Sequence, residues 1–255
     1  MAHPMLATLE RELTLYRRLW QASVFSSFLL PLLFVLSIGV GVGSYVNANG
    51  GLGGVDYLSY IAPGVVITTA FQIGIGESTY PVLGGFKWTR SYQAMRSAPV
   101  EPQHMVGGHL LYLMFRGVIA TIAFLIIVGA FGAMHSWWAP MTIVIAAIVT
   151  VAVAGPVTAF AASIENDNYF ALLFRFGVIP ATLFSGVFFP VDQLPALVRP
   201  LAYASPLWHG VVLSREATLG WPTPWPIWIH VGYLIVWTAI GVALAVWRFR
   251  KRLED

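Results

Sequence analysis

The sequence predicts an all-α integral membrane protein. It would have six transmembrane helices, an N-terminal amphipathic interfacial helix and an outer-side re-entrant helical hairpin before the last span. Three observations carry this. Hydrophobic residues make up 58% of the 255 residues and charged residues only 10%, against about 25% charged in a soluble domain. Mean hydropathy is +0.74. Six separate stretches reach the roughly 20 apolar residues that a bilayer crossing takes. So little charge cannot cover a water-facing surface, which excludes an ordinary soluble enzyme, a disordered chain and a nucleic-acid-binding domain. The chain has no cysteine, so no disulfide framework, thiolate nucleophile or cysteine metal site is available.

The first element is residues 5–20. Leu6, Leu9, Leu13, Tyr16 and Trp20 recur at spacings of three and four, while Glu10, Arg11, Glu12, Arg17 and Arg18 fill the other face. This pattern predicts a helix lying on the inner membrane surface, either as an anchor or as a partner contact. The spans are expected at Ala22–Tyr45, Leu58–Leu83, Gly108–Met134, Ala139–Ala162, Tyr169–Phe189 and Pro226–Trp247. Gly39, Gly41 and Gly43 suggest a close-packing face in span one. Thr68, Thr69 and Gln72 offer interhelical hydrogen bonds in span two. A Gly-rich turn, Gly50–Gly54, joins those two spans. No internal repeat is visible, and the whole of 1–255 reads as one membrane domain.

Basic residues orient the spans. Arg11, Arg17, Arg18, Lys87, Arg90, Arg96, Arg248, Arg250, Lys251 and Arg252 fall on one side, and only Arg199 and Arg215 on the other. By the positive-inside rule both termini are cytoplasmic. The apolar stretch Leu194–Ser214 would carry the tail across if it spanned, but it holds Pro195, Pro200, Pro206 and Arg199. Val191–Trp225 is therefore expected to dip into the outer side as one or two short helices, covered by protein because lipid cannot satisfy irregular backbone.

The chain carries no phosphate-binding loop of the G-x-x-x-x-G-K-[ST] type. Its largest cytoplasmic piece, Gly84–Gly107, has 24 residues, too few for an ATPase domain. The six histidines show no metal-ligand spacing, and no Ser/His/Asp arrangement is visible. No catalytic residue, metal or cofactor is assigned to the chain, so power for transport must come from a partner or an ion gradient. Ionisable residues inside the spans are functional candidates by default. Glu77, Arg116 and Arg175 are expected at one depth, roughly 9–12 Å from the cytoplasmic border at 1.5 Å per residue. Glu77 can neutralise one arginine. The other would snorkel to headgroups or meet an anionic group of a cargo. In the loop between spans two and three, Lys87–Ser97 can form about three helical turns with Trp88, Tyr92 and Met95 on one face. That helix would fit a partner's groove or lie on the headgroups.

Several segments together resemble the permease subunits of type-2 ABC exporters, and the nodulation-type lipo-oligosaccharide exporter permeases most closely. They are YLSYIAPGVV (57–66), ESTY (77–80), the loop through Tyr92–Met95 to Ala98–Pro99, DNYF (167–170), FSGVFFPVDQLP (184–195) and SPLWHGVVLSRE (205–216). They occur in order over nearly the whole chain. The resemblance implies a permease in a bacterial inner (plasma) membrane that pairs with a second permease subunit, a homodimer being the expected form. Two copies of an ABC ATPase would bind ATP and Mg. Residues 5–20 would be the connecting helix and 87–97 the coupling helix, with Arg11, Arg17, Arg18, Lys87, Trp88, Arg90, Tyr92, Met95 and Arg96 at the ATPase. Residues 191–218 would form the re-entrant hairpin, with Phe188, Phe189, Pro190, Asp192, Pro195, Pro206 and Arg215 at the outer gate. The cargo path would be lined by Phe25, Phe28, Phe174, Phe176 and Phe184 beside Glu77, Arg116 and Arg175. The implied cargo is an amphipathic glycolipid or lipo-oligosaccharide. A drug-efflux permease of the same family, an ion-coupled secondary transporter and a non-transporting scaffold are the competing readings.

Overall fold

The structure, a computed structural model, describes residues 3–48 and 55–254, and these form helices and their connections with no strand. The Gly-rich turn expected at Gly50–Gly54 lies outside the described residues. Helix α1 (Pro4–Phe34) is continuous from the amphipathic stretch into the segment expected as span one. It passes into a π-helical segment, Val35–Val42, and then α2 (Gly43–Ala48). Then come α3 (Tyr57–Ser78), α4 (Tyr80–Lys87), α5 (Ser91–Arg96), α6 (Pro102–Ala130) and α7 (Met141–Ala161). Span five is divided into α8 (Asn168–Leu172), a π-helical turn Leu173–Val178 and α9 (Ile179–Phe184). Beyond it stand α10 (Arg199–Tyr203), α11 (Pro206–Leu219) and α12 (Ile227–Glu254).

Among the described residues, four helical stretches are long and apolar enough to cross a membrane: Tyr57–Lys87, Pro102–Ala130, Met141–Ala161 and Ile227–Glu254. These match expected spans two, three, four and six. Span five is shorter than expected. Its helical part, Asn168–Phe184, stops before the predicted end because Gly186 turns the chain at φ 73°. The π-turn just before it has a local cause. Pro180 has no N–H for the Phe176 carbonyl, so the α-helical ladder cannot run evenly through this span.

Helix ends follow local chemistry. Glu101 and His104 form a reciprocal cap at the start of α6, with Pro102 in the first turn. Ser205 caps α11, its hydroxyl accepting from the Leu207 N–H, and Gly220 ends that helix in the left-handed region at φ 71°.

The helices pack through small residues, as membrane helices do where lipid is as apolar as leucine. In the apolar stretch of α3, 78% of the residues are buried, against 22% in α12, which makes α3 central and α12 peripheral. A Cβ on Gly74 would fall 2.7 Å from the Thr150 carbonyl oxygen, and one on Gly117 2.5 Å from the Thr150 hydroxyl. Gly155 and Gly241 bring α7 and α12 into backbone contact; a Cβ on Gly155 would stand 2.7 Å from the Gly241 carbonyl carbon. Of the close-packing face expected in span one, Gly43 is buried, whereas Gly41 is exposed with nothing within 4 Å of its Cβ position. The environment of Gly39 lies outside the described residues. Thr68 and Thr69 also depart from expectation, donating to Gly64 and Val65 one turn back within α3. An interhelical bond to α3 comes instead from Thr150, whose hydroxyl lies 2.8 Å from the Ala146 carbonyl and 3.3 Å from the Ala70 carbonyl.

At one end of the bundle the start of α1, the α4–α5 corner, the start of α6 and the tail of α12 meet around Phe86, Tyr92, Met105, Phe170 and Phe249. This end collects the expected basic residues. The opposite end is closed by α10, α11 and the 221–225 segment around Trp208.

Gly241→Leu, which drives a side chain into Pro156 across the α7–α12 seam, should cost about 1–3 kcal/mol. It should visibly lower the unfolding temperature of the detergent-solubilised protein followed by tryptophan fluorescence. Gly232→Leu, with nothing within 4 Å of its Cβ position on the same helix, should leave that temperature unchanged.

Candidate functional site

The pairing that the sequence left open is resolved by α3 and α6. Arg116 donates from Nη1 to Glu77 Oε1, an ion pair in which both side chains are largely withdrawn from the surface. Tyr16 of α1 stands over the guanidinium, 5.5 Å from ring centroid to Cζ, and its ring also meets Tyr112 and Phe115. The amphipathic helix, span two and span three are thus joined at one charged point. Arg175 is not brought to Glu77. It sits exposed in the π-turn of span five with no hydrogen bond or ion pair among the described residues.

Beside it run two clefts. One of about 410 Å³ lies between α3 and span five, lined by Gln72, Ile75, Gly76, Phe174, Ile179 and Leu183, with little polarity. Another of about 480 Å³ lies on the other flank of span five and includes Phe71, Phe176, Phe184 and Trp237. Phe174, Phe176 and Phe184 therefore do line open apolar space. The side chains of Phe25 and Phe28 lie outside the described residues. Gln72, read from sequence as polar glue, is exposed in the first cleft.

The expected coupling helix takes a different form. The helix from Tyr80 ends at Lys87, Arg90 takes the left-handed conformation at φ 49°, and a short α5 follows from Ser91. One three-turn helix over Lys87–Ser97 is therefore not formed, and Trp88 does not share a face with Tyr92 and Met95. Trp88 is 59% exposed and leans on Gly84, whereas Tyr92 is 4% exposed. The aromatic register explains the break. Tyr92 turns back to pack on Phe86 (4.7 Å) and Phe249 (4.9 Å), and a Cβ on Gly85 would collide with its ring. Burial pushes the Tyr92 hydroxyl well above the usual tyrosine range. Met95 is half-buried in the same cluster.

The basic residues of this end divide into tethered and free. Lys87 donates to the Glu165 carbonyl at 2.9 Å, and Arg11 pairs with Glu12 at 2.7 Å. Arg252 donates to the Ala161 carbonyl and lies over Phe86. Arg17, Arg18, Arg90 and Arg96 are exposed.

At the opposite end Phe188, Phe189 and Pro190 are half-buried, Pro206 is buried as the first residue of α11, and Asp192 and Pro195 are exposed. Arg199 fastens its own loop by donating to the carbonyls of Asp192 and Leu194. Arg215 is deeply inserted. Its Nε donates to the Tyr60 carbonyl and its Nη2 to the Val187 carbonyl, and the guanidinium lies 3.9 Å from the Tyr60 ring centroid.

One further pair is invisible in the sequence. His209 of α11 and His230 of α12 meet with Nδ1 atoms 2.9 Å apart, and both are buried. His209 Nε2 faces the Tyr203 carbonyl at 3.0 Å and must donate there. Its Nδ1 then accepts, so His230 Nδ1 donates, leaving His230 Nε2 a buried acceptor with no partner. Tyr233 stacks on His209 at 3.9 Å, one turn from His230 on the same helix. The two histidines are 21 residues apart on different helices, so no spacing rule could have found them.

The Glu77–Arg116 pair lends itself to a double-mutant cycle. Glu77→Leu or Arg116→Leu alone leaves a charge in an apolar seam and should cost about 2 kcal/mol. The double variant should recover most of that loss when unfolding temperatures are compared in one detergent.

The profile of the ABC-2 type transporter family matches residues 4–219. Nodulation protein J of Rhizobium leguminosarum bv. viciae is 26% identical over 97% of this chain and 94% of its own length. Nodulation protein J of Bradyrhizobium diazoefficiens is 25% identical over 99% and 95%. The inner membrane transport permease YadH of Escherichia coli K12 is 26% identical over 95% and 92%. The family match spans the helical bundle from the amphipathic helix through α11, and the apolar helices are those of a multi-pass membrane permease. The chain belongs to the ABC-2 type transporter family.

Proposed function

We propose that this chain is the transmembrane subunit of an ATP-driven exporter that moves an amphipathic, glycolipid-like cargo from the inner leaflet outward. Two such subunits pair in a bacterial inner membrane with both termini cytoplasmic. Each borrows its power from a separate ABC ATPase. The six-span count, the coupling role of the α4–α5 corner and the re-entrant role of residues 191–218 belong to this reading.

The observation that carries it is the basic end. There a short helix corner with an exposed Trp88 and exposed arginines is locked by Phe86, Tyr92 and Phe249 onto the tail of α12. The chain has no nucleotide loop of its own. A corner packed this way can pass a push from a partner into α3, α4 and α12 as a rigid body. The names of the nodulation relatives favour a lipo-oligosaccharide. The almost wholly apolar cleft between α3 and span five suits acyl chains and equally a hydrophobic drug, which keeps drug efflux as the second reading. An ion-coupled mechanism through Glu77 is disfavoured, because Arg116 already holds that carboxylate.

Reconstitution with the partner ATPase tests the proposal. Tyr92→Ala should leave nucleotide hydrolysis within about twofold while lowering vectorial transport tenfold or more. Trp88→Ala should weaken co-purification of the ATPase without lowering permease yield. Arg175→Ala should reduce transport of an acidic amphipathic cargo more than expression. Full-speed transport by the permease alone would refute the reading.

A further inference from the structure

We infer that the end of the bundle opposite the basic one carries a binding site for a single neutral sugar ring. This rests on the exporter reading and names the headgroup of its cargo. The site is a pocket of about 230 Å³ between the start of α3, residues 186–192, α11 and the 221–225 segment. That volume is below the roughly 300–1,000 Å³ of pockets for drug-sized ligands, so it suits one ring.

Its walls are aromatic and fixed in advance. Tyr203, Trp208 and Trp225 pack mutually at 4.8–5.0 Å between centroids, and Trp221 closes the side nearest Tyr60 at 5.8 Å. Behind the wall, Trp225 stacks on His230, which is held by His209. This is unlike the tryptophans of an interfacial belt. Trp137, Trp138 and Trp228 are 82%, 55% and 73% exposed and line no part of the pocket.

The polar groups at the pocket are under-used. Tyr60 is 2% exposed, and its buried hydroxyl has no hydrogen-bond partner. Such an orphan is costly unless something satisfies it. Arg215 spends two of its five N–H donors on carbonyls. No carboxylate among the described residues forms an ion pair with it. Asp192 adds an exposed carboxylate to the lining.

A ligand must therefore offer an apolar face to tryptophan, an acceptor to Arg215 and a donor to Asp192. A cation would confront the guanidinium, and an anion the carboxylate. A neutral sugar ring, with C–H faces and hydroxyls around its edge, meets all three demands.

The test uses the purified full-length protein in a sugar-free detergent such as lauryldimethylamine oxide. Methyl β-glucoside, methyl β-galactoside and N-acetylglucosamine are titrated against tryptophan fluorescence and by calorimetry, with choline chloride and sodium sulfate as ionic probes. A saturable response to at least one sugar is expected. It should weaken tenfold or more in Asp192→Asn, whose exposed side chain makes folding failure a minor concern, and in Trp221→Ala, and stay unchanged in Trp137→Ala. No saturable response to any of the three sugars would overturn the site. So would equal binding in Asp192→Asn and Trp221→Ala, or saturation by choline or sulfate instead. Absent sugar binding beside intact ATP-driven transport would remove this site alone. Sugar binding without any ATP-dependent transport would remove the exporter reading alone.

Discussion

Thr150 sits where three helices touch. Its hydroxyl shares a proton between the carbonyls of Ala146 in its own helix and Ala70 in α3. Gly74 on one side and Gly117 on the other leave just the room it needs. A membrane bundle gains little from hiding apolar side chains from an equally apolar solvent, so close backbone approach and the few available hydrogen bonds must hold it together. The α3–α6–α7 seam meets that constraint with small residues, and Gly155 and Gly241 extend it to α12. The clefts beside span five and the aromatic closure of the far end are arranged around this frame.

The few charges away from the basic end are handled in three ways, each following from what is nearby. Arg116 is neutralised by Glu77. Arg215 is anchored without a carboxylate, donating to two main-chain carbonyls and lying on the face of Tyr60. Arg175 is left exposed on a π-turn in the most irregular span. An unpaired cation there is costly for a chain alone in lipid. In the proposed mechanism that cation is met by a second subunit, a headgroup or a cargo.

Much of the bundle was legible because apolar run length is a local property. Span four emerges within two residues of its expected limits, the helix of span three begins six residues early and that of span six runs seven residues on, and the basic residues segregate to one end. The loop between spans two and three departs from its spacing, which alone favours a continuous helix. Tyr92 instead finds Phe86 and Phe249 by folding back, which takes a left-handed turn at Arg90. Thr68 and Thr69 were legible as polar but not as bonded within their own helix. Of the residues assigned to the proposed cargo path, Glu77, Arg116, Phe174, Phe176 and Phe184 could be singled out as charge or aromatic inside a span. Which of them meet could not.

The sequence by itself determined a membrane-embedded helical chain, its basic end, the absence of a nucleotide loop and the family resemblance. Each of these depends on composition or on residues close together in the chain. The tertiary structure alone decided that Glu77 takes Arg116 and not Arg175, that His209 meets His230, and that Tyr60, Asp192, Arg215 and four aromatic rings surround one pocket. The bonded partners among these lie far apart in the chain, from 21 residues in the histidine pair to 155 between Tyr60 and Arg215. Only the rotation and approach of packed helices selects among contacts that distant, because hydrophobic periodicity states which face is buried and never against what.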